Sequence, residues 1–318
     1  MRFFGPRLRR ILYAFADPTS YRLLWGAVFG RFVFPSVDDE CLPQRNEREA
    51  LDVEGSNIDR QRISPIIFQT TEYRREMSKQ LKYWSRSFQI NNPAFSCLLW
   101  EATDDRRFIE ARYLSFLTRY DSYPQERYRL DIIRSFFLYS YGGFYAHMDS
   151  ECLKPLKDFL HAGDVLLGRM GQDDDFEQSI TNSIMASKPN QAFWLLTIAI
   201  AMERLAVSQK NRSWASPEEM TGPILLKDAV NYYMTHDKEE VIDRIRRACP
   251  ELRADAENSD FGSINLLAPS IWCPINWNNF IQMTLRKRIF REAKVIDKSA
   301  ASRLFPHAYI VTYWDKHN

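Results

Sequence analysis

His147 and Asp149 stand two residues apart at the end of a short apolar run, Phe144 to Met148. If that run is a strand, its period of two sends both side chains to the same side of the strand's tip. An imidazole and a carboxylate meeting there are ligand types for a divalent cation, and oxygen donors favour magnesium or manganese. A cation so placed suits the two phosphates of a nucleotide sugar, whose negative charge it neutralises as the diphosphate leaves. His-x-Asp on a strand is also an ordinary polar pair, so the spacing alone leaves both readings open. Upstream, Arg127, Asp131 and Arg134 recur at i, i+4 and i+7 and project from one helical face, fixing Asp131 between two guanidiniums. That trio is either a structural ion pair or a group that orients a polar ligand.

These residues need rigid elements behind them. Arg62 to Thr70 is a β-branched run with Pro65 near its start and reads as a buried parallel strand. Residues 72 to 89 have helical spacing, Ser96 to Trp100 form a second apolar run after the turn signal Asn91-Asn92-Pro93, and a helix follows over Asp104 to Leu117. A long helix begins near Pro124, with Leu130, Ile133 and Phe137 beside Ile132, Phe136 and Tyr139 on a broad buried face, and Gly142-Gly143 stops it. Asp164 to Leu167 reads as a strand, Gln191 to Ala206 and Lys238 to Arg247 as helices, and Ala308 to Tyr313 as a terminal strand. The alternation predicts an α/β fold with a mostly parallel central sheet flanked by helices on both faces, and ligands in such sheets bind beyond the carboxyl ends of the strands.

Composition limits the partners. The 318 residues carry 43 basic and 41 acidic side chains, too even a balance to mark nucleic acid as a partner, and 45% hydrophobic residues are ample for a core. Cys41, Cys97, Cys152, Cys249 and Cys273 have no paired spacing of the kind that holds structural zinc, and their odd number leaves at least one free thiol. The polar stretch 36 to 62 divides an N-terminal arm, 1–61, from a catalytic domain, 62–318. Within the arm, Arg2, Arg7, Arg9 and Arg10 precede the apolar run Leu23 to Phe34, which Arg31 interrupts and which is shorter than the roughly 20 residues of a membrane span. The arm reads either as a helix packed on the catalytic domain or as a segment resting on a membrane surface, which leaves the location open between the cytoplasm and the face of an internal membrane such as the ER or Golgi. The acidic run Asp173-Asp174-Asp175 reads as a solvated loop, and Trp272, Trp277 and Trp314 as core or rim residues able to stack on a sugar.

Taken together, the stretch from Asp131-x-x-Arg134 through Leu138-Tyr139-x-x-Gly142-Gly143 to His147-x-Asp149 resembles the DxD sugar-binding region of the family 32 glycosyltransferases. Ile63 to Thr70 is similar to the family's first strand, Asn182 to Pro189 to its Asn-containing strand, and Thr221-Gly222-Pro223 to its Thr-Gly-Pro turn. The order is kept, and the likeness covers about residues 62 to 318. The resemblance implies the GT-A type of nucleotide-sugar-binding fold, a donor such as GDP-mannose or a UDP-hexose, manganese (or magnesium) as cofactor, and transfer of a hexose with retention to an acceptor hydroxyl. The acceptor, whether glycan, glycolipid or small natural product, is not specified by it. Carried onto this sequence, it makes Asp131 the acidic residue that holds the donor sugar, Arg134 its helical partner and Asp149 the second Asp of DxD; the expected catalytic residues are then Asp131 and Asp149, and the expected donor-binding residues Gln69, Thr70, Arg127, Asp131, Arg134, Gly142, Gly143, Tyr145, His147 and Asn182.

Two positions depart from the family pattern. His147 stands where DxD has its first Asp, and a C-terminal His-His-Trp reads Thr312-Tyr313-Trp314. Asp149 is then the direct metal ligand, with His147 and the penultimate His317 as its candidate companions. The departures also motivate two alternatives, a sugar-nucleotide-binding protein without transferase activity and a transferase that works without metal.

Overall fold

Ile66–Thr71 forms β1, and all six residues are buried. Ile66 and Phe68 face one apolar cluster while Ile67 faces another, so the strand has a covered surface on each side. In the computed structural model, residues 59–73, 77–276, 279, 282, 283, 286, 289, 296 and 298–314 are described. Nearly all of the expected arm, together with Trp277 and His317, lies outside them.

From β1 the chain runs through helix α1 (Lys79–Asn91), strand β2 (Ser96–Glu101) and helix α2 (Ala102–Arg112). A short α3 (Leu117–Asp121) leads into α4 (Glu126–Tyr141), then β3 (Gly143–Ala146), β4 (Ser150–Cys152), β5 (Val165–Arg169) and β6 (Ile180–Ser187). The second half is mainly helical, with α5 (Ala192–Asn211), α6 (Pro217–Met220), α7 (Pro223–Thr235), α8 (Lys238–Ala248) and α9 (Arg253–Glu257). It ends with β7 (Ile264–Leu267), α10 (Pro269–Trp272), α11 (Lys298–Leu304) and β8 (Ile310–Thr312).

Six strands make one sheet in the order β2-β1-β3-β6-β5-β7, and β4 pairs with β8 in a second. The β1–β2, β1–β3 and β5–β7 pairings are parallel, whereas β6 runs antiparallel to both β3 and β5. The fold is the expected α/β class with a mostly parallel sheet between helices. The antiparallel β6 is the departure from plain alternation: its amino-terminal residues, not its carboxyl end, arrive beside the carboxyl end of β3, where Ala146 pairs with Ile184.

Each sheet face has its own cluster. Phe68, Trp100, Tyr145, Leu167 and Met185 pack against α4, α5, α7 and α8, while Ile67, Phe144, Ala146, Leu166 and Ile184 pack against Phe88 of α1, Trp272 of α10 and Ile310 of β8. Helix α5 is long and apolar enough to cross a membrane, but 72% of its apolar window is buried within the fold, as in a core helix. Cys97, Cys152, Cys249 and Cys273 are free thiols, and burial pushes the Cys273 thiol up to about 12, so it stays a neutral core group.

The junction between α4 and β3 determines how the site is aimed. Gly142 caps α4 at φ +63°, donating its N–H to Leu138 O, and Gly143 follows at φ +85°. A Cβ on Gly142 would lie 2.6 Å from both Pro189 N and Ser187 O, and one on Gly143 2.6 Å from Ile66 O. Only glycine combines that backbone conformation with that approach. The reversal lays β3 against β1 in parallel, with Ile67 opposite Phe144 and Phe68 opposite Tyr145. Residues 147 to 149 therefore emerge beside Thr70 and Thr71.

Candidate active site

A cleft of about 710 Å³ opens where β1 and β3 end. Thr70 and Thr71 reach it from β1, Arg127, Asp131 and Arg134 from α4, His147 and Asp149 from the turn after β3, Asn182 and Ser183 from β6, and Trp314 from the segment after β8.

Strand β3 stops at Ala146 rather than running on to Met148, because Ser150 N donates to His147 O at 3.0 Å and closes a tight turn. The turn is held from two further sides: His147 N donates to Ser183 O at 2.8 Å, and Tyr313 N to Asp149 O at 2.9 Å. His147 and Asp149 do meet, with Nδ1 and Oδ1 2.6 Å apart. A carboxylate only accepts, so the proton of this bond belongs to Nδ1, and in the neutral imidazole Nε2 is the nitrogen with the lone pair. The Asp149 side chain is 2% exposed and the His147 ring 20%, so the imidazole is the more open member of the pair.

On α4, Asp131 Oδ1 lies 2.8 Å from Arg134 Nη2 and accepts from Asn182 Nδ2 at 3.1 Å. Arg134 donates through Nη1 to Asn182 O and through Nε to Leu130 O, and its guanidinium lies 4.5 Å from the centre of the Tyr145 ring. Its side chain is 4% exposed. The carboxylate is thus fixed by a buried cation, an amide and, through Arg134, an aromatic face. Arg127 is not the second partner expected for Asp131: it turns to Glu218 on α6, 3.1 Å away, and is half exposed.

Several expected residues support the cleft from behind. Tyr145 is fully buried under Arg134. Gln69, also buried, accepts from Ser85 Oγ through Oε1 and donates to His147 O through Nε2 at 3.5 Å, which steadies the turn. Gly142 and Gly143 sit at the opposite end of β3, against Pro189, Ser187 and Ile66, where they shape the chain and do not line this cleft. Thr312 is buried, its hydroxyl 2.9 Å from Ser150 Oγ and 3.3 Å from Ser183 Oγ, so it ties strands together. Trp272 packs in the core against Phe159, whereas Trp314 reaches the cleft and donates from Nε1 to Ile275 O. The acidic run stays outside the cleft, where Asp174 pairs with Arg169.

Glu218, Arg286 and Tyr73 also line the cleft, and none has a sequence signal, because each comes from a segment remote from the motif. Asp105 likewise has no sequence signal, but it lies behind the cleft and does not line it. It is wholly buried on α2 behind β1, where Thr70 Oγ1 donates to its Oδ2 at 2.5 Å and its Oδ1 has no partner. Burial holds its carboxyl well above the usual range, against the pull of the Thr70 hydrogen bond.

With respect to a cation, no cluster of three or more His, Cys, Asp or Glu side chains is present among the described residues. Asp149 and His147 therefore offer a carboxylate and an imidazole as a partial donor set, one that fits a cation whose remaining ligands are phosphate oxygens and water.

The family model described as "Glycosyltransferase sugar-binding region containing DXD motif" matches residues 78–167, the span from α1 to β5 that includes Asp131, His147 and Asp149. Residues 78–167 form a glycosyltransferase sugar-binding region. Over 184 residues the chain is 29% identical to inositol phosphoceramide mannosyltransferase 2 of Schizosaccharomyces pombe, a match covering 54% of this chain and 51% of that protein. Over 70 residues it is 43% identical to inositol phosphoceramide mannosyltransferase 3 of the same yeast, covering 22% of this chain and 20% of the relative. The chain thus spans about half, or less, of the curated relatives it matches. Among solved structures, PaToxG glycosyltransferase aligns over 79% of this chain and 90% of its own, at 11% identity and a TM-score of 0.39. The sugar-binding region supplies the floor and motif of the cleft, and Asn182, Glu218 and Trp314 close it from outside that span.

Proposed function

We propose that the cleft binds a nucleotide sugar and that the chain transfers its hexose to the hydroxyl of a glycolipid acceptor, with retention at the anomeric carbon. The observation that carries this reading is the convergence, in one cleft, of the His147–Asp149 pair and the Asp131–Arg134–Asn182 cluster. The first is suited to the diphosphate and the second to sugar hydroxyls. A mannosyl donor and an inositol phosphoceramide acceptor are favoured by analogy with the named yeast relatives, and GDP-mannose is the mannosyl donor that the sequence resemblance implies.

In this account Asp131 accepts hydrogen bonds from the sugar hydroxyls while Arg134 and Asn182 hold it in one rotamer. Asp149 and His147 would hold manganese or magnesium, which would supply positive charge to stabilise the departing diphosphate. Asp149 also keeps the imidazole in the tautomer that leaves Nε2 open. With retention, the acceptor oxygen approaches from the side on which the diphosphate leaves: its bond to the anomeric carbon forms as the phosphate–oxygen bond to that carbon breaks, and the hydroxyl proton passes to the departing phosphate. Tyr73, Met77, Leu81 and Trp314 line the cleft with apolar surface that suits a lipid-bearing acceptor.

The test is a transfer assay with GDP-mannose, UDP-glucose or UDP-galactose and inositol phosphoceramide in detergent, read by mass spectrometry of the lipid. Gain of one hexose by wild type and its loss in Asp149→Ala support the proposal. Nucleotide binding without product from any of the donors supports instead the sugar-nucleotide-binding alternative, which the histidine at position 147 motivates. Undiminished transfer in excess EDTA would favour the metal-free transferase.

A further inference from the structure

Three guanidiniums line the described part of the cleft, and they differ in depth. On α4 the Arg134 side chain is 4% exposed, that of Asp131 one turn earlier 10%, and that of Arg127 one turn earlier again 50%. Arg286 is 5% exposed. The helix thus runs from the floor of the cleft to its mouth. Arg127 stands seven residues before Arg134, roughly 10 Å of helix rise, and of the three cations it is the one open to solvent.

With the diphosphate assigned to the His147–Asp149 turn and the sugar to Asp131, the acceptor enters from the open side. The lining it meets is acidic, since Glu72, Asp131, Asp149 and Glu218 outnumber the three guanidiniums. An anionic acceptor is repelled there unless a cation receives it at the mouth, and Arg127 is placed to do so. Its Nη2 donates to Glu218 Oε1 on α6 at 3.1 Å, with side chains 50% and 31% exposed. Exposed pairs of this kind contribute little to stability, so an entering anion can share or displace the carboxylate. A guanidinium carries five N–H donors in a planar fork that matches phosphate oxygens, so Glu218 aims the group without exhausting it. Tyr73, 54% exposed, adds an aromatic surface to the open side of the same cleft. A cation near apolar surface is the combination that a lipid phosphodiester requires.

We propose that Arg127 binds the acceptor rather than the donor, donating to the phosphodiester of an anionic glycolipid whose hydroxyl receives the hexose; the inference rests on the transferase reading above. The experiment is steady-state transfer to inositol phosphoceramide in detergent by wild type, Arg127→Met and Arg127→Lys, using the donor that wild type accepts, GDP-mannose or a UDP-hexose, and varying each substrate in turn. Calorimetric titration of each protein with the matching nucleoside diphosphate accompanies it. Arg127→Met is expected to raise the KM for the lipid roughly 10-fold, the loss of a charge-assisted hydrogen bond, with kcat, donor KM and nucleotide affinity each within about 3-fold of wild type. Arg127→Lys, which keeps the charge but loses the fork, is expected to fall between the two, and it carries the test if the methionine variant melts early. A lipid KM within about 3-fold of wild type in both variants would overturn the inference while leaving the transferase reading standing. Weakening of nucleotide binding equal to the rise in lipid KM would overturn it too, by returning Arg127 to the donor. Absence of transfer to the lipid by wild type would overturn the transferase reading and this inference together.

Discussion

At the residue scale, the site rests on a buried guanidinium, 4% exposed, and a largely covered carboxylate, 10% exposed, each dependent on the other. Asp131→Ala leaves the Arg134 charge, 4% exposed, without its carboxylate. The expected cost is about 3 kcal/mol, the lower range for breaking a buried pair, and Asp131→Ala/Arg134→Met is expected to recover most of it in a denaturant titration. Unchanged stability in the single variant would show that the pair is solvated and not the fixed clamp described. His147 and Asp149 meet as expected but not for the expected reason, since both lie in the turn after β3 and not on the strand, whereas Asp131 meets Arg134 as helical spacing requires. Arg127 lines the cleft as expected but does not pair with Asp131, for a physical reason: Glu218, a residue 91 positions away, competes for it. No spacing rule reports such a partner, and Arg286 was invisible on the same ground.

Elements rather than residues decide where these groups point. Strand β1 and helix α2 are coupled through Thr70 and the buried Asp105, and this contact gives the fold a pH signature. The folded carboxyl is held up by burial, whereas in the unfolded chain it ionises near the ordinary value of about 3.9. Its contribution to stability is therefore fully present below that value and declines as pH rises toward the elevated folded value. Asp105→Asn removes the ionisation, so its stability relative to wild type should improve between about pH 3.5 and pH 7. Urea titrations across that range check it, and a difference independent of pH would contradict a buried neutral acid. Most strands and helices up to β3 were readable from apolar runs and the Gly142-Gly143 stop, whereas β4, α7 and β7 were not expected. The limits of the readable elements were less clear: β3 ends at Ala146 because the Ser150-to-His147 turn takes the next backbone groups, and β6 runs antiparallel, which no local pattern signals.

For the whole molecule, the sheet has both faces covered and one open cleft at the ends of its central strands, into which β6, α6, α7 and the segment after β8 each send a side chain. The sequence resemblance already gave the class of fold and the motif at the centre of the cleft. It did not give the closing walls, which come from distant segments and exist only once the sheet is assembled. The central claim is that this cleft gathers a nucleotide sugar through Asp149. Thermal unfolding of wild type and Asp149→Ala, each with and without GDP-mannose and manganese, measures it most directly, because a ligand that binds only the folded state raises its melting temperature. The account predicts a rise for wild type, largest with both ligands present, and little or none for Asp149→Ala. Equal rises in the two proteins, or none in wild type with GDP-mannose or with the UDP-hexoses in its place, would contradict it.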